Sequence, residues 1–224
     1  PAEISAVDPS FKMPQVWKTS LAFDYNVPTS FPFTISAEGI FNKTINGVVL
    51  RDWSIWSADG FARLNGADNR PLYSHYKQTY VKGTDANGDA IVENMPAAYV
   101  LENTNRGYGY SGSVTVNMRP TQALSLMAAY THTVSKEITG MPGSNASSVL
   151  NYIGTVYGPN DPGLHNSEYV TPDRFVASAT FNDKSGNHFS FIYESWRGGS
   201  NYSYMTSNDM NGDGYNYDLI YIPT

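Results

Sequence analysis

The chain has 224 residues, of which 41% are hydrophobic, 14% aromatic and only 15% charged. That is too aromatic and too weakly charged for a disordered acidic segment, and a formal net charge of −6 lacks the basic face that nucleic-acid binding needs. There is no Cys, which removes disulfide frameworks and thiolate metal sites.

No apolar run reaches the roughly 18 residues of a membrane helix, a test that says nothing of membrane strands. The chain opens on Pro1 with no basic-then-apolar leader, so we read it as a mature protein or an excised piece of a longer one. The helical period is nearly absent, while a two-residue period recurs along the chain. In 16–26 the positions Trp17, Leu21, Phe23 and Tyr25 alternate with Lys18, Ser20, Ala22, Asp24 and Asn26. In 33–43, Ile35, Ala37, Gly39 and Phe41 oppose Thr34, Ser36, Glu38 and Asn42. Further strands are expected at 106–118 (Val114, Val116, Met118), 122–133 (Leu124, Leu126, Ala128, Tyr130), 173–182 (Phe175, Ala177, Ala179, Phe181) and 187–196 (Phe189, Phe191, Tyr193), with another starting at 217–222. Successive strand side chains point to opposite faces, so each segment makes one apolar and one polar face.

The connections alternate short and long. Those at 27–32, 119–122 and 182–187 are tight; those near 44–105, 135–172 and 198–216 are long, with 47–53 and 97–101 expected to be strand extensions or hairpin arms inside the first. Compact soluble domains keep most connections to a few residues, whereas outer-membrane barrels have short turns at one end and long loops at the other. Aromatic residues near strand ends (Trp17, Tyr25, Tyr130, Tyr193, Trp196) stand where interfacial girdles would lie. The fold class expected is all-β: antiparallel up-and-down strands with long loops on one side. A one-sided sheet over a soluble core carries the same alternation, so a soluble secreted β-sandwich that binds glycan or protein is the alternative, and a plain structural barrel is a third reading.

The stretches VDPSFKMPQVWKTSLAFDYNVP (7–28), EGIFNKTING (38–47), LENTNRGYGYSGSVTV (101–116), LMAAYTHTVSKE (126–137) and DMNGDGYNYDLIYIP (209–223) resemble the barrel region of TonB-dependent outer-membrane receptors, in particular the Oar-like branch typical of the Bacteroidetes. The resemblance implies that residues 1–224 are a single partial segment of a transmembrane β-barrel of about 22 strands, in the outer membrane of a Gram-negative bacterium. It implies import of a nutrient ligand (oligosaccharide, peptide or chelate), a TonB complex acting through a plug domain absent from this sequence, contact with outer-membrane lipid, and room for a surface lipoprotein lid. Nucleic acid is not an expected partner. Two departures stand out: Asp173 in TPDRF (171–175) where the pattern has His, and Tyr217 in NYD (216–218) where Asn-Asp is usual.

Asp209-Met-Asn211-Gly-Asp213-Gly214 has the spacing of the first half of a calcium loop, oxygen donors at positions 1, 3 and 5 and Gly at 6. Position 12 is Ile220, so the bidentate Glu is missing, and Asp218 substitutes only along a different loop path. An Asx-rich turn explains the same residues without a metal. Asp85-Ala-Asn87-Gly-Asp89 repeats the core pattern without the following Gly. Gly107-Tyr-Gly109-Tyr-Ser-Gly112 fits G-x-G-x-x-G, but a strand pattern follows where a dinucleotide site needs a helix. His75, His132, His165 and His188 are scattered, and no nucleophile elbow or carboxylate pair exists, so no enzyme is expected. The loop aromatics Trp53, Trp56, Tyr73 and Tyr76, with Tyr80, offer broad faces for a sugar or peptide; packing of the long loop against itself is the plainer alternative.

Overall fold

The computed structural model describes residues 3–198 and 206–220. Its elements are β1 (Ile4–Val7), β2 (Gln15–Asn26), β3 (Phe33–Asp52), β4 (Thr79–Thr84), β5 (Ala90–Asn94), β6 (Ala98–Thr104), β7 (Tyr108–Met118), β8 (Leu124–Glu137), α1 (Ala146–Tyr152), β9 (His165–Asn166), β10 (Asp173–Asn182) and β11 (His188–Arg197). The fold is mostly sheet, as the alternation indicates. Strands β2, β3, β7, β8, β10 and β11 form an antiparallel meander, each paired to the next. The expected strand at 217–222 is represented by isolated pairing of Asp218 with Thr155; 221–222 lie outside the described residues.

Register settles what the apolar positions do together. Tyr25 faces Ile35, which faces Val116, then Ala128, Ala177 and Tyr193. The next row on that face runs Phe23, Ala37, Val114, Tyr130, Phe175. Nearer the tight turns lie Phe33, Met118, Leu126, Ala179 and Phe191. The opposite face carries Asp24, Ser36 and Thr115 in one row and Glu38, Ser113, Thr131 and Arg174 in another. Because the side-chain period is two, a slip of one residue anywhere would mix the faces. Trp196 falls on the polar face, opposite Arg174, rather than in an apolar girdle.

The apolar face is open. Leu21 is 79% and Phe191 67% exposed, and the only other sheet among the described residues is the two-stranded β4–β5 ribbon. Six strands about 4.8 Å apart, with apolar residues from Leu124 to Val134 along β8, give an uncovered area of roughly 800 Å². The largest patch on an ordinary monomer is about 300–600 Å². The buried apolar residues lie elsewhere: Leu50, Ile55, Tyr99, Val149, Leu150, Ile153 and Tyr215 form one cluster at the long-loop end.

The strand extensions expected at 47–53 and 97–101 are present: β3 continues to Asp52, and β6 lies on it in the register that β7 continues, since Gly47 faces Thr104 and Lys43 faces Tyr108. Two corrections to the sequence reading follow. First, β1 pairs with β6 in parallel, so the nine-stranded sheet is mixed. Second, α1 is a helix in a chain whose sequence shows almost no helical period. Asn145 caps it, accepting from Ser148 N–H while the Ser148 hydroxyl reaches the Asn145 N–H, and Val149 and Leu150 are its buried residues.

The break between β6 and β7 is made by Gly107, at φ +147, a region that is nearly Gly-only. A Cβ there would lie 2.7 Å from Thr44 Oγ1, while the Gly107 carbonyl accepts the Thr44 N–H. The G-x-G-x-x-G run is therefore strand, as the alternation after it indicates. Gly107→Ala is expected to destabilise by roughly 1–3 kcal/mol. Gly112→Ala, whose Cβ would meet open space, should cost far less; equal urea midpoints for the two variants would contradict the assignment.

Candidate functional site

The loop end is built around Asp52, the last residue of β3, which is fully buried. Its carboxylate accepts from Ser54 N–H (2.9 Å), Ser54 hydroxyl (2.6 Å), Ala98 N–H (3.0 Å), Lys77 Nζ (3.0 Å) and Tyr215 hydroxyl (2.8 Å). Burial alone would raise its pKa; these donors outweigh burial and hold it below the usual carboxylate range. The Tyr215 hydroxyl is pushed far up by burial and by the Asp52 charge. Asn160 completes the junction, its side chain accepting from Asp52 N–H and donating to Asp52 carbonyl, both at 2.8 Å. One residue thus ties β3, β6, the 53–78 loop, the 157–161 loop and the 209–218 turn.

Above it lies an open cleft of about 760 Å³. Trp53 and Trp56 line it, with Arg51, Arg63, Tyr157 and Asp161 among its other walls. Trp53 Nε1 donates to Glu102, and the Trp56 ring meets His75 edge-on at 5.9 Å, so both indoles are held while keeping exposed surface. Broad aromatic faces beside guanidinium and carboxylate groups suit a polar ligand with some flat apolar surface. Tyr73 and Tyr76 do not line the cleft. Tyr73 packs on Phe61 (centroids 4.9 Å) and donates to the Tyr157 carbonyl; burial, then the Asp213 charge, push its hydroxyl up to about 12. The Tyr76 ring lies against Gly214, where a Cβ would fall 2.4 Å from Cε2. These two tyrosines pack the loop, and Tyr80 pairs with Glu93 across the β4–β5 hairpin.

The 209–218 turn sits behind them. Asp209 accepts from the N–H groups of Gly212, Asp213 and Gly214. Asn211 Oδ1 accepts from Asp213 N–H, and Asp213 Oδ1 from Tyr215 N–H. Asp218 returns to accept the Met210 N–H at 2.5 Å, the different loop path the sequence left open. This is an Asx-turn array, yet its inner members are sealed from water. Burial raises the Asp213 carboxyl to about 7, with the charges of Asp218 and Asp209 adding to it; burial also raises Asp218. Arg70, itself buried, pairs with Asp68 (2.6 Å) and stands 3.9 Å from Asp218. By contrast Asp85, Asn87 and Asp89 are exposed at the tip of the β4–β5 hairpin, where Asp85 accepts from Asn87 and Asp89 N–H. Among the described residues no three His, Cys, Asp or Glu side chains converge as a metal cluster.

No family model, curated protein or solved structure matches this chain.

The histidines stay apart. His132 and Tyr130 both bond Asp173 (2.8 and 2.7 Å), which also pairs with Arg197, so Asp173 anchors a small network at the start of β10. The sequence reading missed Arg51, Arg63, Tyr157 and Asp161 as cleft residues. They converge through contacts between residues far apart in the chain, such as Asn160–Asp52 and Tyr73–Tyr157, which have no local sequence signal.

Proposed function

We propose that this chain is part of the wall and outer loops of a TonB-dependent outer-membrane transporter, with the apolar sheet face toward lipid, the polar face toward the lumen, and the cleft at Trp53 and Trp56 among the surfaces that capture the imported ligand. The observation that carries the reading is the separation of two apolar regions. Among the described residues the buried core lies at the long-loop end, while the sheet keeps a continuous apolar face on which no described element packs. A soluble sandwich would do the reverse.

Dimensions agree. The apolar stretch from Leu124 to Val134 spans about 34 Å along the strand, and a tilt of roughly 40° brings this near the 25 Å apolar band of such barrels. Aromatic pairs stand toward both ends, Phe31 with Phe33 (6.4 Å) and Trp17 with Phe41 (5.9 Å). The turns 27–32, 119–123 and 183–187 share one end, as periplasmic turns would. Among the described residues no strand pairs with the outer edge of β11, nor with the edge of β2 away from β3; in a closed barrel the neighbouring strands would satisfy both edges. Transport itself would require the plug and its TonB partner, and a lipoprotein lid would sit over the loops.

The absence of native Cys makes single-Cys labelling direct. In outer membranes of cells producing the protein, Cys at Phe23, Val114 or Phe175 should react with a lipid-soluble maleimide and resist a charged one. Cys at Ser113 or Thr131 should react with the charged reagent. Equal reaction of both faces with the charged reagent, or recovery of the protein in a soluble fraction, would refute the proposal.

A further inference from the structure

We propose that the 209–218 turn is a calcium site, with the side-chain oxygens of Asp209, Asn211 and Asp213 as ligands and Asp218 as a supporting charge. Spacing alone does not carry this, because the exposed 85–89 turn has the same spacing and similar hydrogen bonds. The deciding observation is an orphan: Asp213 is 1% exposed, and its Oδ2 is buried with no hydrogen-bond partner among the described residues. Buried carboxylate oxygens are almost always satisfied, and an exception asks for an ion or a proton.

Charge points to the ion. Asp68, Asp209, Asp213 and Asp218 bring four carboxylates to a region where Arg70 is the cation paired with Asp68 and beside Asp218. Asp218 is already engaged by the Met210 N–H and faces Arg70, so it adds charge without needing to be a direct ligand. The direct set is two carboxylates and an amide. That composition agrees with the lack of any cluster of three acidic or histidine side chains. The N–H bonds to Asp209 do not block it: Oδ1 accepts two, from Gly212 and Asp213, while Oδ2 accepts only the Gly214 N–H and keeps a second lone pair. An all-oxygen set in a flexible turn suits calcium, which takes 6–8 oxygens at about 2.3–2.6 Å, the remainder from backbone or water. Without a bidentate Glu at position 12, affinity should be weak, on the order of 0.1–1 mM, the range of extracellular modules.

The test uses the whole chain in detergent micelles, stripped with chelator. Isothermal titration with CaCl2 should find one site per chain, and about 5 mM Ca²⁺ should raise the thermal midpoint by a few degrees. Asp213→Asn should weaken binding at least tenfold, and Asp85→Asn should leave it unchanged. Should Asp213→Asn fail to fold, Tb³⁺ luminescence sensitised by Tyr215 in the unmodified chain and displaced by Ca²⁺ takes its place. A chain that takes up neither ion, an Asp213→Asn variant that binds as tightly as the parent, or loss of binding in Asp85→Asn would each overturn the assignment.

Discussion

Replacing Asp52 by Ala is expected to unfold the loop cap while the sheet survives. Five donors converge on this carboxylate, from Ser54 N–H and hydroxyl, Ala98 N–H, Lys77 and Tyr215. The variant strips all of them at once and leaves Lys77, mostly buried, with the Ser54 hydroxyl as its named partner. Removing one member of a buried ion pair costs about 3–5 kcal/mol, a large share of any domain's stability. Asp52→Asn keeps the shape and one acceptor oxygen, but turns an NH₂ toward groups that also donate, so a smaller loss is expected. Near-ultraviolet circular dichroism and protease cleavage within 53–78 would report the cap, and far-ultraviolet dichroism the sheet. A loss under about 1 kcal/mol for the Ala variant would show that the cap does not depend on this junction. The pH behaviour has a definite sign. A carboxyl held below its ordinary value of 3.8 contributes fully above that pH, and the contribution is lost as the pH falls through the lower folded value.

What the sequence revealed and what it hid divide along contact range. Period-two alternation is local, so Phe23, Val114, Tyr130 and Phe175 could be assigned to one face before any register was known. The register then joined them into rows. The upper half of β3 was less legible because Asn42, Lys43 and Thr44 interrupt the alternation just where the strand passes from one neighbourhood to the other. Helix α1 is seven residues long, too short for a 3.6-residue period to declare itself; Asn145 three residues before Ser148 was its one local sign. The cap's polar centre was beyond local reading, since Asp52 meets Asn160 and Tyr215 across more than a hundred residues of chain. The same limit applies to the two D-x-N-x-D turns. Their bonding is alike, and burial alone distinguishes Asp213 from Asp89. Trp53, Trp56, Tyr73 and Tyr76 are grouped in the sequence as loop aromatics without any geometry; in the fold the two tryptophans line the cleft and the two tyrosines pack the loop. Tyr217 adds a small conflict of its own: it sits at φ +75, which Asn tolerates and Tyr does not favour, so the backbone there carries local strain.

The sharpest distinction between lipid and water as the neighbour of the apolar face comes from adjacent residues. Val114 and Thr115 are consecutive in β7, at the middle of the sheet, and lie on opposite faces. If hydrocarbon covers the first, Val114→Arg should destabilise the chain in phosphatidylcholine vesicles by about 2–4 kcal/mol, the cost of a cation near the midplane on a barrel's outer wall. Thr115→Arg joins a row with Asp24, Ser36 and Glu194 and should shift stability by less than about 1 kcal/mol. Urea titration of tryptophan fluorescence in the vesicles measures both. The same pair on a sheet face open to water predicts another outcome: with Val114 already 47% exposed, an arginine there would lie on wet surface and cost little, no more than at Thr115. An ordering in which Val114→Arg is as mild as its neighbour would therefore remove the lipid-facing wall, and with it the transporter. Only a solvent without hydrogen-bonding capacity makes one arginine costly and the next one harmless along a strand where neither side chain is buried by protein.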